Sequence, residues 1–89
     1  MFEFDHQKSK TNKEKHGIDF IEAQALWREA GVELAAKSDD EPRKLLIAQV
    51  NGKVWSAIFT IRNDRYRIIS VRRARKDEEA LYYEKKENK

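Results

Sequence analysis

Between Arg65 and Lys76 the chain reads RYRIISVRRARK, and six of these twelve side chains are cationic. Arginine offers a planar fork that grips phosphate oxygens at two points, and forks carried on strands are held more rigidly than forks on loops. Far away in sequence, Lys15 and His16 precede Gly17. Histidine is the side chain best matched to moving protons near neutral pH, and this one follows an ammonium group at a predicted turn. Phosphate binding and proton transfer are therefore the chemistries these residues suggest. The remaining options are thin. Two histidines ten residues apart make no zinc pattern, cysteine is absent, and SDDE at 38–41 lacks the spacing and glycine of a calcium loop. No phosphate-binding glycine loop or nucleophile elbow occurs, so neither a metal nor a cofactor is predicted.

Charge is segregated along the chain. The overall +3 hides a net +3 in residues 6–16 and a net +6 in residues 62–76, which leaves the remainder at −6. Two basic blocks on a mildly acidic body point to a polyanion or an acidic partner. Hydrophobic residues at 39%, charged residues at 39% and a mean hydropathy of −0.92 fit a small core under a highly charged surface. Eighty-nine residues predict a single domain, 1–89, whose core is modest enough for a binding partner to add real stability. Without cysteine, signal peptide or apolar span, the expectation is a soluble, cytoplasmic protein with no membrane partner.

The elements that must position these side chains are legible from patterning. FEFD at 2–5 predicts a short edge strand, with Asp5 capping a helix over about 6–15 that stops at Gly17. Asp19 and Glu22 form a capping-box pattern between Ile18 and Ala23, the two ends of a hydrophobic staple. Phe20, Ala23, Leu26, Trp27 and Ala30 then repeat at helical spacing up to Gly31, the second predicted helix stop. VELAA is a possible strand and KSDDEPRK a charged loop. KLLIAQV, KVWSAIFTIR and RYRIISVR, separated by Asn51-Gly52 and Asn63-Asp64, predict an antiparallel meander, and a helix over about 76–86 follows. The fold class is α+β: a short N-terminal strand, two helices, a meander sheet and a C-terminal helix.

Two-residue hairpin loops set Val50 opposite Lys53 and Arg62 opposite Arg65, and strict alternation then sorts the faces. One face takes Leu46, Ala48, Val50, Trp55, Ala57, Phe59, Ile61, Tyr66, Ile68 and Ser70 as the core. The other takes Thr60, Arg62, Arg65, Arg67, Val71 and Arg73 with several apolar residues, so one of its ends wants cover from the last helix or a partner. Adjacent arginines on paired strands repel unless an anion offsets them. The bland alternative is a solvated basic face neutralised by Asp77, Glu78 and Glu79.

FEFD at 2–5, Asn12 with KHGIDFIEA at 15–23, and RYRIISVRRARKDEEALYY at 65–83 together resemble the BrnT family of toxins, in the right order and over nearly the whole chain. The resemblance implies a small cytosolic ribonuclease of a bacterial type II toxin–antitoxin system with a RelE-like fold. Its partner would be an antitoxin carrying a ribbon-helix-helix domain, so that operator DNA is reached only through that antitoxin. It further implies metal-independent RNA cleavage, in which the ribose 2′-hydroxyl attacks the adjacent phosphate and translation and growth are inhibited. On that basis Arg67 leads for phosphate stabilisation, with Arg73 as a second catalytic cation and His16 or Lys15 in proton transfer or phosphate contact. Arg62, Arg65 and Arg72 would hold RNA, with Ser70, Tyr83 and Tyr82 as helpers. Val71 and the loop ending in Glu41 and Arg43 depart mildly from the family pattern. The competing expectations are a non-catalytic module that binds RNA or a partner through the basic strand, and a purely structural interface.

Overall fold

The computed structural model describes residues 1–36 and 41–87. Its elements are β1 (Phe2–Glu3), α1 (His6–His16), a 3₁₀ segment (Glu22–Arg28), β2 (Val32–Ala36), β3 (Arg43–Val50), β4 (Lys53–Arg62), β5 (Arg65–Arg73) and α2 (Lys76–Glu87). The strands form one sheet in the order β1-β5-β4-β3-β2, in which β1 runs parallel to β5 and every other pair is antiparallel. The architecture is thus the predicted α+β arrangement. The charged-loop expectation falls partly on 37–40, outside the described residues.

Helix α1 has an unusual basis. HQKSKTNKEKH contains no apolar side chain, and its two buried residues are Ser9 and Asn12. Its start is set by Asp5, whose Oδ1 accepts from the amides of Gln7 at 2.8 Å and Lys8 at 3.1 Å, and its end by Gly17 in a left-handed conformation at φ 82°. Docking is polar. The Asn12 side chain lies against the edge of β5 as a strand peptide would: Nδ2 donates to Val71 O at 2.8 Å and Oδ1 accepts from Val71 N at 3.2 Å. Its other amide hydrogen is donated to Ile18 O at 2.8 Å. Ser9 Oγ accepts from the Phe20 amide at 2.9 Å. The two buried polar side chains of α1, Ser9 and Asn12, are both hydrogen-bonded, so a helix without an apolar stripe still packs.

The Asp19–Glu22 capping box forms reciprocally, with Glu22 N donating to Asp19 Oδ1 at 2.7 Å and Asp19 N to Glu22 Oε1 at 3.0 Å. The segment it opens is 3₁₀ rather than the predicted α-helix. Phe20, Ala23 and Leu26 are all buried at a spacing of three, the period of a 3₁₀ turn, whereas Ala30 is exposed. Gly31 is likewise not the helix stop, since the segment ends at Arg28 and is capped by Glu29. Glycine is required there by close approach: a Cβ on Gly31 would lie 2.6 Å from Ile47 O and 2.9 Å from a Leu46 methyl.

Both hairpins have the predicted registers, Val50 opposite Lys53 and Arg62 opposite Arg65, and Asn51, Gly52, Asn63 and Asp64 all adopt positive φ. The faces are not as strict alternation predicts. Phe59 pairs with Ile68 but Ile58 pairs with Ser70, so Ile69 is an extra residue and β5 bulges. Beyond the bulge every side chain changes sides. Val71 and Arg73 join the face of Ala57 and Trp55, while Ser70 and Arg72 join that of Ile58 and Ser56. The reason is visible in the core, where Val71 is fully buried with Ala57, Phe59 and Ile68. Alternation without a bulge would bury Ser70 and expose Val71, forfeiting about 1.5–3 kcal/mol of apolar burial.

The sheet therefore carries α1 and the 3₁₀ segment on one face and α2 on the other. The first face holds the main core, reinforced at one edge by Phe2, Trp27, Phe59 and Tyr66, whose ring centroids lie 5.1 Å (Phe2–Trp27), 5.2 Å (Trp27–Phe59) and 5.7 Å (Phe59–Tyr66) apart. The second is smaller and centres on Ile47, Val54 and Tyr82. There Glu78 fastens α2 to the strands. Its carboxylate accepts from Arg72 Nη1 at 2.7 Å, Arg72 Nη2 at 2.9 Å, Ser56 Oγ at 2.8 Å and the Arg75 amide at 2.8 Å. This bidentate pairing holds the Glu78 carboxyl well below its ordinary value of 4.5, at about 2.

Candidate functional site

The basic residues separate into two groups. Arg62, Arg65, Arg67 and Ser70 lie on the α2 face of β4 and β5, whereas Arg73 lies on the α1 face. Arg67 and Arg73 are six residues apart on β5, roughly 20 Å at strand rise, and on opposite faces. They cannot grip one phosphodiester together, so the bulge corrects the expectation that Arg67 and Arg73 serve side by side as catalytic cations.

On the α2 face, Arg62 is engaged by Glu41, whose Oε2 accepts from Nε at 3.2 Å and Nη2 at 3.0 Å. Arg72 is taken up by Glu78, so here the bland alternative named from the sequence, an arginine neutralised by the last helix, holds. Arg65 is exposed at the hairpin, and Arg67 is half-buried opposite Thr60; neither has an ion pair among the described residues. The Asp5 carboxyl titrates below its ordinary range, chiefly through its bonds to the Lys8 and Gln7 amides, and the charge of Arg67 adds to the effect. Tyr83 stands exposed on α2, edge-on to Tyr82 at 5.4 Å.

On the α1 face, Arg73 occupies the end of β5 opposite Trp55. Its guanidinium carbon sits 5.5 Å from the centre of the Trp55 ring and its Nε donates to Val54 O at 3.3 Å. Its two terminal nitrogens make no hydrogen bond among the described residues, while the fork is held from behind. Helix α1 brings Lys15 and His16 to the same end. Its first turn is close enough to Arg67 for Asp5 to feel that charge, and its middle is bonded to Val71, so α1 runs along β5 in the same direction. His16 lies one turn beyond Asn12, and Arg73 lies two residues beyond Val71 on the same face. Gly17, next in chain to His16, and Trp55, under Arg73, line one cleft. Lys13 is held aside by Glu22 at 2.7 Å. That contact is foremost in lowering the Glu22 carboxyl.

Sequence reasoning missed Lys53, Asn51 and Trp55 as site residues, although they line this cleft. The hairpin signal at Asn51-Gly52 located the turn, but only packing against the end of α1 shows that it borders a site. Among the described residues no group of three or more His, Asp or Glu side chains is placed to hold a metal ion, and no helix is long and apolar enough to cross a membrane.

Fold and site together define a small α+β protein with arginines on both faces of its sheet and a helix that carries Lys15 and His16 along one of them. The chain belongs to the family described as ribonuclease toxin, BrnT, of type II toxin-antitoxin system, whose family model matches residues 4–78. Membership makes it a ribonuclease toxin, with RNA as substrate and an antitoxin as partner. No curated protein matches the sequence.

Proposed function

We propose that RNA is cut on the α1 face, at Arg73, Lys15 and His16, by metal-independent transfer of the scissile phosphate to the neighbouring ribose 2′-hydroxyl. The observation that carries the reading is the back-side clamping of Arg73 by Trp55 and Val54 O at the end of the sheet that α1 reaches with Lys15 and His16. A fixed guanidinium with free terminal nitrogens is suited to the charge that grows on the phosphate oxygens in the transition state. His16 serves to take the 2′-hydroxyl proton or to return one to the leaving 5′-oxygen, and Lys15 contacts phosphate. Arg65 and Arg67, with Ser70 beside them, act on the opposite face as RNA-binding residues rather than catalysts. Arg62 and Arg72 are occupied by carboxylates and contribute less to RNA binding than their charge suggests.

In the cell the protein would act in the cytoplasm, cutting RNA needed for translation and arresting growth until a cognate ribbon-helix-helix antitoxin covers it. Exposed Leu34, Leu81 and Tyr83, at the β2 edge and on α2, offer such a partner apolar contact, and operator DNA would be reached only through it. The test is cleavage of a defined RNA by the purified chain in excess chelator, beside Arg73→Ala and His16→Ala. Cleavage in chelator that falls at least a hundredfold in Arg73→Ala is the expected result. Cleavage that needs a divalent ion, or that survives in both variants, refutes it.

A further inference from the structure

The cleft beside Arg73 has a composition that the phosphate chemistry does not require. It measures about 480 Å³ and lies between the end of α1, the 3₁₀ segment and the β3–β4 hairpin. Ile18, Ala25, Val50 and Trp55 make its apolar walls, and Glu22, Asn51 and Lys53 its polar ones, with Glu22 already engaged by Lys13 and the Asp19 amide. A single phosphate would leave such walls wet, whereas the flat apolar body of a nucleobase would cover them, as pockets for unstacked bases do. The other two polar residues, Asn51 and Lys53, narrow the choice. An asparagine amide matches the donor and acceptor on the outer edge of adenine, and a lysine ammonium matches the two acceptors of guanine, so both favour purines. Asn51 sits in a turn whose backbone is fixed by positive φ, 54° at Asn51 and 76° at Gly52.

We propose that this cleft is a purine-binding subsite, which seats the base of a nucleotide adjoining the scissile phosphate and so selects where RNA is cut. The inference rests on the assignment of Arg73, Lys15 and His16 to the cleavage site, because only then does the cleft adjoin the reacting phosphate. Trp55 has two duties in this arrangement, bracing Arg73 with its ring and closing one wall of the base pocket.

The experiment titrates the full chain with the four nucleoside 3′-monophosphates and with inorganic phosphate, following backbone amide shifts and Kd. The same preparations are assayed for RNA cleavage. Two substitutions probe the cleft without touching the cations: Ala25→Leu fills it, and Asn51→Gly removes the reading amide while keeping a residue suited to the turn. Purine nucleotides should bind at least tenfold more tightly than pyrimidine nucleotides or phosphate, with shifts at Ile18, Val50 and Lys53. That advantage should fall at least fivefold in each variant, while phosphate affinity stays as in the unsubstituted chain. Should Ala25→Leu fail to fold, Asn51→Gly decides alone. Nucleotides that bind no better than phosphate, or a purine advantage that survives both substitutions, overturn the subsite even if RNA is cleaved normally. Cleavage that persists in Arg73→Ala and His16→Ala removes instead the assignment on which the subsite stands.

Discussion

Replacing Glu78 with glutamine removes a charge while preserving shape and one acceptor oxygen, which makes it a clean probe of how α2 is fastened to the sheet. The Glu78 side chain is 10% exposed and that of Arg72 is 22% exposed, so solvent screens the pair only weakly. A carboxyl held at about 2 instead of 4.5 stabilises the folded chain by about 3 kcal/mol at neutral pH. Because the folded group titrates below its unfolded counterpart, this contribution is complete above about pH 4.5 and drains away as pH falls towards 2. Linkage leaves less than half of it at pH 3 and little at pH 2. Glu78→Gln should therefore be about 3 kcal/mol less stable than the unsubstituted chain at pH 7, a drop in Tm of roughly 12–24 °C for a domain of this size. At pH 3 the gap should narrow by about 2 kcal/mol. Urea denaturation followed by circular dichroism at the two pH values measures both quantities. A gap under about 1 kcal/mol at pH 7, or one that is the same at pH 3, would refute the reasoning.

Four further outcomes are expected. Asn12→Ala strips the α1–β5 contact of three hydrogen bonds and leaves the Val71 amide and carbonyl without partners, so calorimetry should show a loss of about 3 kcal/mol. Gly31→Ala places a methyl against the Ile47 carbonyl and should destabilise by about 1–3 kcal/mol in urea titrations, with β2 the first strand to lose amide-exchange protection. Arg67→Ala should reduce the slope of log affinity for single-stranded RNA against log salt by about 0.7 while leaving the cleavage step nearly intact. Arg73→Ala should do the reverse in single-turnover assays, slowing cleavage by about a hundredfold or more and leaving most RNA affinity in place.

The parts of this fold that were legible beforehand are those set by neighbours in sequence. Asp5, Gly17 and the Asp19–Glu22 pair mark helix ends because capping is a contact between residues two to four apart. Asn51-Gly52 and Asn63-Asp64 mark two-residue turns because few residues tolerate positive φ, and each turn then sets the register of its hairpin. Gly31 shows the boundary of such reasoning: the residue is demanded, but by the Ile47 carbonyl rather than by a helix end. Asn12 shows it too, since its amide completes an edge strand fifty-nine residues away.

Which residues could handle phosphate was decided by the sequence: the arginines of β5 and the Lys15–His16 pair are cationic or proton-transferring wherever they lie. Where they meet was decided only by tertiary packing. Burial of Val71 in the core inserts the bulge at Ile69, and that one extra residue sends Arg73 to Trp55 and the α1 face and Arg72 to Glu78 on the other. A period of two determines direction only until something more valuable than alternation interrupts it, and the worth of burying valine in place of serine depends on neighbours the local sequence does not contain.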